Sequence, residues 1–154
     1  MLLSVLAVGG PKGLADAAHD YERRAGHYWR LKVTELPHGK GREGRFVVAQ
    51  EEEAFAARID ARYKLVCLSR EGRSMSSVEF AKWLQEQANR SASGVHFLIG
   101  GAFGLGSDLI SRADLTLSLS SFTLPHDVAR LLLAEQIYRA GTILRNEPYH
   151  KGPA

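Results

Sequence analysis

Short apolar runs recur along the chain at Leu2 to Val8, Leu31 to Leu36, Leu65 to Leu68, Val95 to Ile99 and Leu115 to Leu119, and longer segments with helical spacing separate most of them. Runs of this length read as strands buried on both faces, and strands separated by helical crossovers pair in parallel. The alternation predicts an α/β fold: a parallel sheet covered by helices on both faces. The 154 residues, 45% of them hydrophobic, suffice for one core. No linker or low-complexity tract divides them, so residues 1–154 are read as a single domain.

Charge and cysteine content narrow the class. A formal charge of +3 and a pI near 9.2 suit an RNA or phosphate partner without requiring one. The single cysteine, Cys67, excludes an internal disulfide framework and a cysteine-based zinc cluster. Its neighbours Val66 and Leu68 make it a core residue rather than a nucleophile. The histidines show no ligand spacing, so no metal is expected. Met1 to Val8 lacks a basic leader segment and runs into Gly9-Gly10-Pro11, so it reads as a first strand. No apolar run approaches the roughly 20 residues that span a bilayer, and a cytoplasmic protein without a membrane partner is expected.

Helical periodicity assigns faces. Leu14, Ala18, Tyr21, Ala25 and Tyr28 form one stripe, which buries the tyrosines and leaves Arg23, His27 and Arg30 on the opposite face. A second helix is predicted over Val47 to Arg62, with Glu51-Glu52-Glu53 early and Arg58 and Arg62 late, as the macrodipole favours. A third, from Asp127 to Leu144, is apolar on several sides, and the breadth of that surface predicts a homodimer through it. Pro125 suits its first turn, while Asp127 with Arg130 and Glu135 with Arg139 stand at pairing distance.

Candidate sites fall where elements end. His96-Phe-Leu-Ile-Gly-Gly-Ala-Phe-Gly-Leu-Gly106 is a strand emptying into glycines, which let a backbone approach a ligand or simply make a tight turn. The spacing fits neither the dinucleotide fingerprint nor a Walker loop. Pro37-His-Gly-Lys-Gly-Arg-Glu-Gly-Arg45 is a flexible basic loop whose Lys40, Arg42 and Arg45 suit RNA phosphates, or solvent alone. His126 and His150 both sit at element boundaries.

Three segments taken in order carry a resemblance: Phe97-Leu-Ile-Gly-Gly-x-x-Gly104; Leu117-Ser-Leu-Ser-x-x-Thr-Leu-Pro-His126 continuing to Leu133-Ala-Glu-Gln-x-Tyr-Arg139; and Asn146-x-Pro-Tyr-His150. Together with Leu-Ala-Val-Gly at residues 6 to 9 and Pro-x-Gly-Lys at residues 37 to 40, they resemble the RlmH family of large-subunit ribosomal RNA methyltransferases in the SPOUT superfamily. The resemblance implies a SPOUT fold with a carboxyl-terminal trefoil knot, a homodimer and S-adenosyl-L-methionine as methyl donor. It also implies methylation of N3 of a pseudouridine in 23S ribosomal RNA, on assembled ribosomes. Carried over by position, cofactor contacts fall on Leu68, Gly100, Leu119, Ser120, Ser121, Phe122, Thr123 and Leu124. His150 is the first candidate for proton removal, with Tyr149 and His126 orienting the base or the uracil ring and Arg130 stabilising charge or holding phosphate. Lys40, Arg42, Arg23 and Lys151 are the candidate RNA contacts. The chain departs from the family at Glu147 and Lys151 in the tail, and at Phe103, where the family often carries a polar or acidic residue. A nucleotide-binding α/β enzyme of another class and a catalytically silent ribosome-binding protein are the alternatives; binding of a dinucleotide in place of S-adenosylmethionine marks the first, ribosome binding without methyl transfer the second.

Overall fold

A computed structural model describes residues 1–150, with His150 given by its backbone alone. The expected parallel sheet is present. Its strands are β1 (Leu2–Val8), β2 (Arg30–Leu36), β3 (Lys64–Ser74), β4 (Gly94–Ile99) and β5 (Leu115–Ser118), in the order β2-β1-β4-β3-β5 with every pairing parallel. The helices are α1 (Ala15–Ala25), α2 (Gly44–Ala56), α3 (Ser77–Asn89), α4 (Ser107–Arg112) and α5 (His126–Leu144), with short 3-10 turns at Lys12–Leu14 and Pro148–His150.

Strand alternation divides the core. Leu3, Val5, Val95, Phe97, Val66 and Leu117 meet Phe80 and Leu84 of α3 and Leu133 and Ile137 of α5 on one face. Leu6, Val8, Leu65, Cys67 and Leu98 meet Phe55 of α2 and Leu109 of α4 on the other. Side chains two apart in a strand share a face, so each central strand supplies both layers. Burial on both faces explains why these strands read as continuous apolar runs.

Several local expectations are corrected. The second helix ends at Ala56, not Arg62, because the Asp60 carboxylate accepts the Arg62 amide at 2.9 Å and turns the chain, while the Asp60 amide donates to Nε2 of buried His96 at 2.9 Å. Because α2 also starts earlier than Val47, at Gly44, Glu51 to Glu53 stand in its carboxyl-terminal half, and Arg58 and Arg62 lie beyond it. Tyr28 lies past the end of α1, yet Tyr21 and Tyr28 both pack on Tyr138 of α5, at 6.2 and 5.8 Å between ring centroids. Pro125 precedes the first turn of α5 with an extended ψ of 151°. Asp127 does not pair with Arg130; it accepts its neighbour Val128's amide. Glu135 does pair with Arg139, at 2.6 Å. Much of the breadth of α5 is accounted for inside the chain, since α1 and α3 flank it and β1 and β4 lie beneath it. Leu132 stays exposed. Among the described residues, no helix is long and apolar enough to cross a membrane.

Candidate functional site

Because all strands run the same way, their carboxyl ends share one edge of the sheet, where ligands of α/β proteins gather. Segments following β4 and β5 and a bulge within β3 enclose a cleft of about 480 Å³ there. β3 pairs with β5 at Leu68 and again at Arg73 and Ser74, so residues 69–72 bulge out of register and put Ser69, Arg70 and Glu71 into the cleft wall. Ser118 Oγ stands 2.9 Å from the Ser120 carbonyl and 3.2 Å from that of Arg70, which ties the β5 loop to the bulge. The glycine segment closes on itself through the Gly104 amide donating to the Gly101 carbonyl at 3.0 Å. Gly100 lies against that turn so closely that a Cβ there would stand 2.6 Å from the Gly104 carbonyl carbon. The close approach at Gly100 brings backbone groups into this wall, and a cleft of this size suits a nucleoside-sized ligand.

The basic loop is held to the same edge by a buried carboxylate. Glu51 is 2% exposed; its Oε2 accepts the Gly39 amide at 2.9 Å, and its carboxylate lies against Gly101. Its Oε1 has no partner among the described residues. Gln50 adds a second clasp, accepting from the Lys40 amide and donating to the Lys40 carbonyl. His38, in that loop, packs edge-on against His126 with ring centroids 5.3 Å apart, and the buried Nε2 of His126 has no partner among the described residues.

Beside the cleft, α5 is fixed by Arg130, 5% exposed in its side chain. Its guanidinium makes a bidentate pair with Glu22 of α1, at 2.8 and 3.1 Å, and a third bond to Glu35 of β2 at 2.7 Å. Burial opposes its charge, but the hydrogen bonds it donates to Glu22 and Glu35 outweigh that and raise its pKa.

Residues 1–150 match the family model described as "Predicted SPOUT methyltransferase". The ribosomal RNA large subunit methyltransferase H of Gemmatimonas aurantiaca is 50% identical over 155 positions, covering 98% of this chain and 100% of that protein. The chain belongs to the large-subunit ribosomal RNA methyltransferase H family of the SPOUT superfamily. Its counterpart in an Anaeromyxobacter species is 42% identical and that of Bacillus cereus 38%, each across 98% of this chain and 100% of the relative. A solved structure of a probable methylase family protein from Haemophilus influenzae superposes with a TM-score of 0.53 at 11% identity, covering 99% of this chain and 71% of that one, a likeness of fold alone.

Placed on this SPOUT fold, the residues carried over for the cofactor separate only slightly. Leu68, Gly100, Leu119, Ser120, Phe122, Thr123 and Leu124 line the cleft, whereas exposed Ser121 is outside its lining. His126 lines it too. Arg130 does not, and its guanidinium is occupied by carboxylates rather than open to phosphate. Lys40 and Arg42 are exposed on the loop clasped beside the cleft, while Arg23 lies on α1 paired with Asp20 at 2.6 Å.

The tail folds back on its own chain. Tyr149 hydroxyl lies 3.1 Å from Glu135 and 3.3 Å from the Tyr21 hydroxyl, and its ring meets Tyr138 edge-on. Burial, the Tyr21 hydroxyl and the Glu135 charge all raise its pKa. Glu147 accepts from Tyr28, whose hydroxyl is pushed up to about 12 by that bond first and by burial second. The side chain of His150 and all of Lys151 lie outside the described residues. Sequence reasoning missed the β3 bulge, Glu51 and His38. Only the bulge left a signal, the polar Ser69-Arg-Glu-Gly72 interruption with a glycine inside a strand.

Proposed function

We propose that the chain transfers a methyl group from S-adenosyl-L-methionine to N3 of a pseudouridine in 23S ribosomal RNA, on assembled ribosomes in the cytoplasm, as a homodimer. The observation carrying this reading is the cleft at the carboxyl edge, lined by the glycine segment and by Leu119, Ser120, Phe122, Thr123 and Leu124, in a chain of this family. The donor set fits: a nucleoside needs backbone hydrogen-bonding groups and an apolar floor, and Leu68, Leu119 and Leu124 supply the latter. S-adenosylmethionine supplies, when bound, a methyl carbon already activated on a sulfonium. The work left to the protein is alignment and proton handling.

Gly100 and the Leu119 to Leu124 segment would hold the adenosine part. The N3 imide is protonated at neutral pH and needs a base near it. His150 takes that proton, and His126, on the cleft wall, orients the uracil ring. Arg130 acts through α5, which it locks to α1 and β2, and thereby sets where His126 stands. Tyr149 anchors the tail from which His150 and Lys151 extend. Lys40 and Arg42 meet phosphates beside the cleft, with Arg23 further along the backbone. The dimer contact uses α5, where exposed Leu132 borders a hollow of about 280 Å³ with Met75, Phe80 and Leu119 and the polar Ser76, Ser77 and Gln136. The trefoil knot belongs to the same reading; its support is that α5 leaves edge strand β5 yet packs over the central strands β1 and β4.

The test incubates ribosomes lacking the modification with labelled S-adenosylmethionine, with and without the protein, and maps label by nuclease digestion and mass spectrometry. Label in pseudouridine at N3 is expected; label absent from pseudouridine overturns the assignment.

A further inference from the structure

Two phenylalanines are left in solvent at the cleft. Phe103, in the glycine segment, is 53% exposed, and Phe122, in the segment after β5, is 79% exposed; both line the same cleft. Neither position is accidental in its backbone. Phe103 rides on the turn closed by the Gly104 amide and the Gly101 carbonyl, and the Phe122 amide donates to Ser120 Oγ at 2.9 Å. Phe103 is braced further from below: a Cβ on Gly44 would come within 2.8 Å of its ring, so the ring rests on the first residue of α2. Immediately before that residue runs the loop bearing exposed Lys40 and Arg42, while Arg45 after it is paired with Glu43 at 3.1 Å. Arg70 stands on the bulge in the same cleft.

A braced ring left half in water costs free energy unless something covers it, and the ligand must tolerate adjacent cations. An unpaired nucleobase satisfies both demands, because its π-face stacks on the ring while its phosphates meet Lys40 and Arg42. We infer that Phe103 is the stacking platform for an unpaired base of the RNA strand that carries the methylation target, a positioning role resting on the function proposed above. Basic loop, ring and cleft then follow one another along the path of a single strand.

The test compares Phe103→Ala, Phe103→Leu and Phe103→Trp. Each is assayed for methyl transfer to ribosomes lacking the modification, for cofactor affinity by calorimetry, for ribosome binding by pelleting without cofactor, and for oligomeric state. Loss of one base stack weakens binding by about tenfold. The expected pattern is a rise of about that size in the KM for ribosomes and in the pelleting midpoint for Ala and Leu, with Trp close to wild type and cofactor affinity within about twofold throughout. Leu matching Phe overturns stacking in favour of plain apolar contact. A loss that tracks cofactor affinity assigns the ring to the cofactor instead, and one that tracks oligomeric state assigns it to a second copy; either result defeats the inference. Should the wild type transfer no methyl group, the function reading fails, and the pelleting series still decides the stacking.

Discussion

Arg130 joins three elements of this chain, and removing its charge while keeping its stem tests what that junction is for. In Arg130→Met the carboxylate of Glu22, 12% exposed, loses a bidentate partner inside the protein, whereas Glu35, half exposed, returns to water. Breaking a buried pair by deleting one partner costs about 3–5 kcal/mol, and an exposed pair contributes about 1 kcal/mol or less. The lower end applies because Glu22 keeps some access to water, so a loss of about 3 kcal/mol is expected. For a domain of this length that lowers Tm by about 6–12 °C. Urea titration followed by circular dichroism measures the loss directly. Adding Glu22→Gln to Arg130→Met removes the stranded charge, and the double variant is expected to recover about half of the loss, the signature of coupling between contacting residues. Arg130→Met within about 0.5 kcal/mol of wild type would refute the buried-pair argument. If methyl transfer collapsed in that same stable variant, Arg130 would act on the RNA rather than through α5.

Other perturbations probe separate links. Gly100→Ala forces a Cβ into the Gly104 backbone and is expected to weaken S-adenosylmethionine binding at least tenfold in calorimetry; unchanged affinity would remove the glycine turn from the cofactor wall. His150→Ala is expected to cut turnover by about 100-fold or more while leaving cofactor affinity nearly intact, and unchanged turnover would end its role as the base. Burial pushes the Cys67 thiol up to about 11, with Arg112 opposing weakly. Native protein at pH 8 should therefore resist a thiol reagent that labels the urea-unfolded chain at once. Because the unfolded thiol ionises first, stability contributed by Cys67 is lost as pH rises from about 9 to about 11, and Cys67→Ala should flatten that loss. His96 is shifted the other way: burial lowers its pKa from 6.5, against the opposing charge of Asp60. The unfolded chain takes up the proton first, so stability falls as pH drops below about 6.5, and a His96→Phe variant with the same slope would refute that origin.

What the sequence disclosed follows the range of the interactions involved. Strand faces were legible because Leu3, Val5 and Leu6, Val8 declare their layers by period alone, and a sheet covered on both sides demands nothing else of them. The end of α2 was hidden because Asp60 stops the helix with the help of His96, 36 residues later. Arg130 misled for the same reason: Asp127 is the neighbour that spacing suggests, yet Glu22 and Glu35 stand 108 and 95 residues away in sequence and offer a buried bidentate partner that an exposed i,i+3 contact does not match. Glu51 looked like a dipole-complementing surface acid, and burial between Gly39 and Gly101 depends on how two loops from different strands approach. The cleft and the tail divide along this line. Residues carried over for the cofactor sit directly at strand ends, so fixing the strands brings them together. Tyr149 is placed by Tyr21, Tyr138 and Glu135 on two helices, and no local pattern in Asn146 to His150 states which of those surfaces the tail will choose.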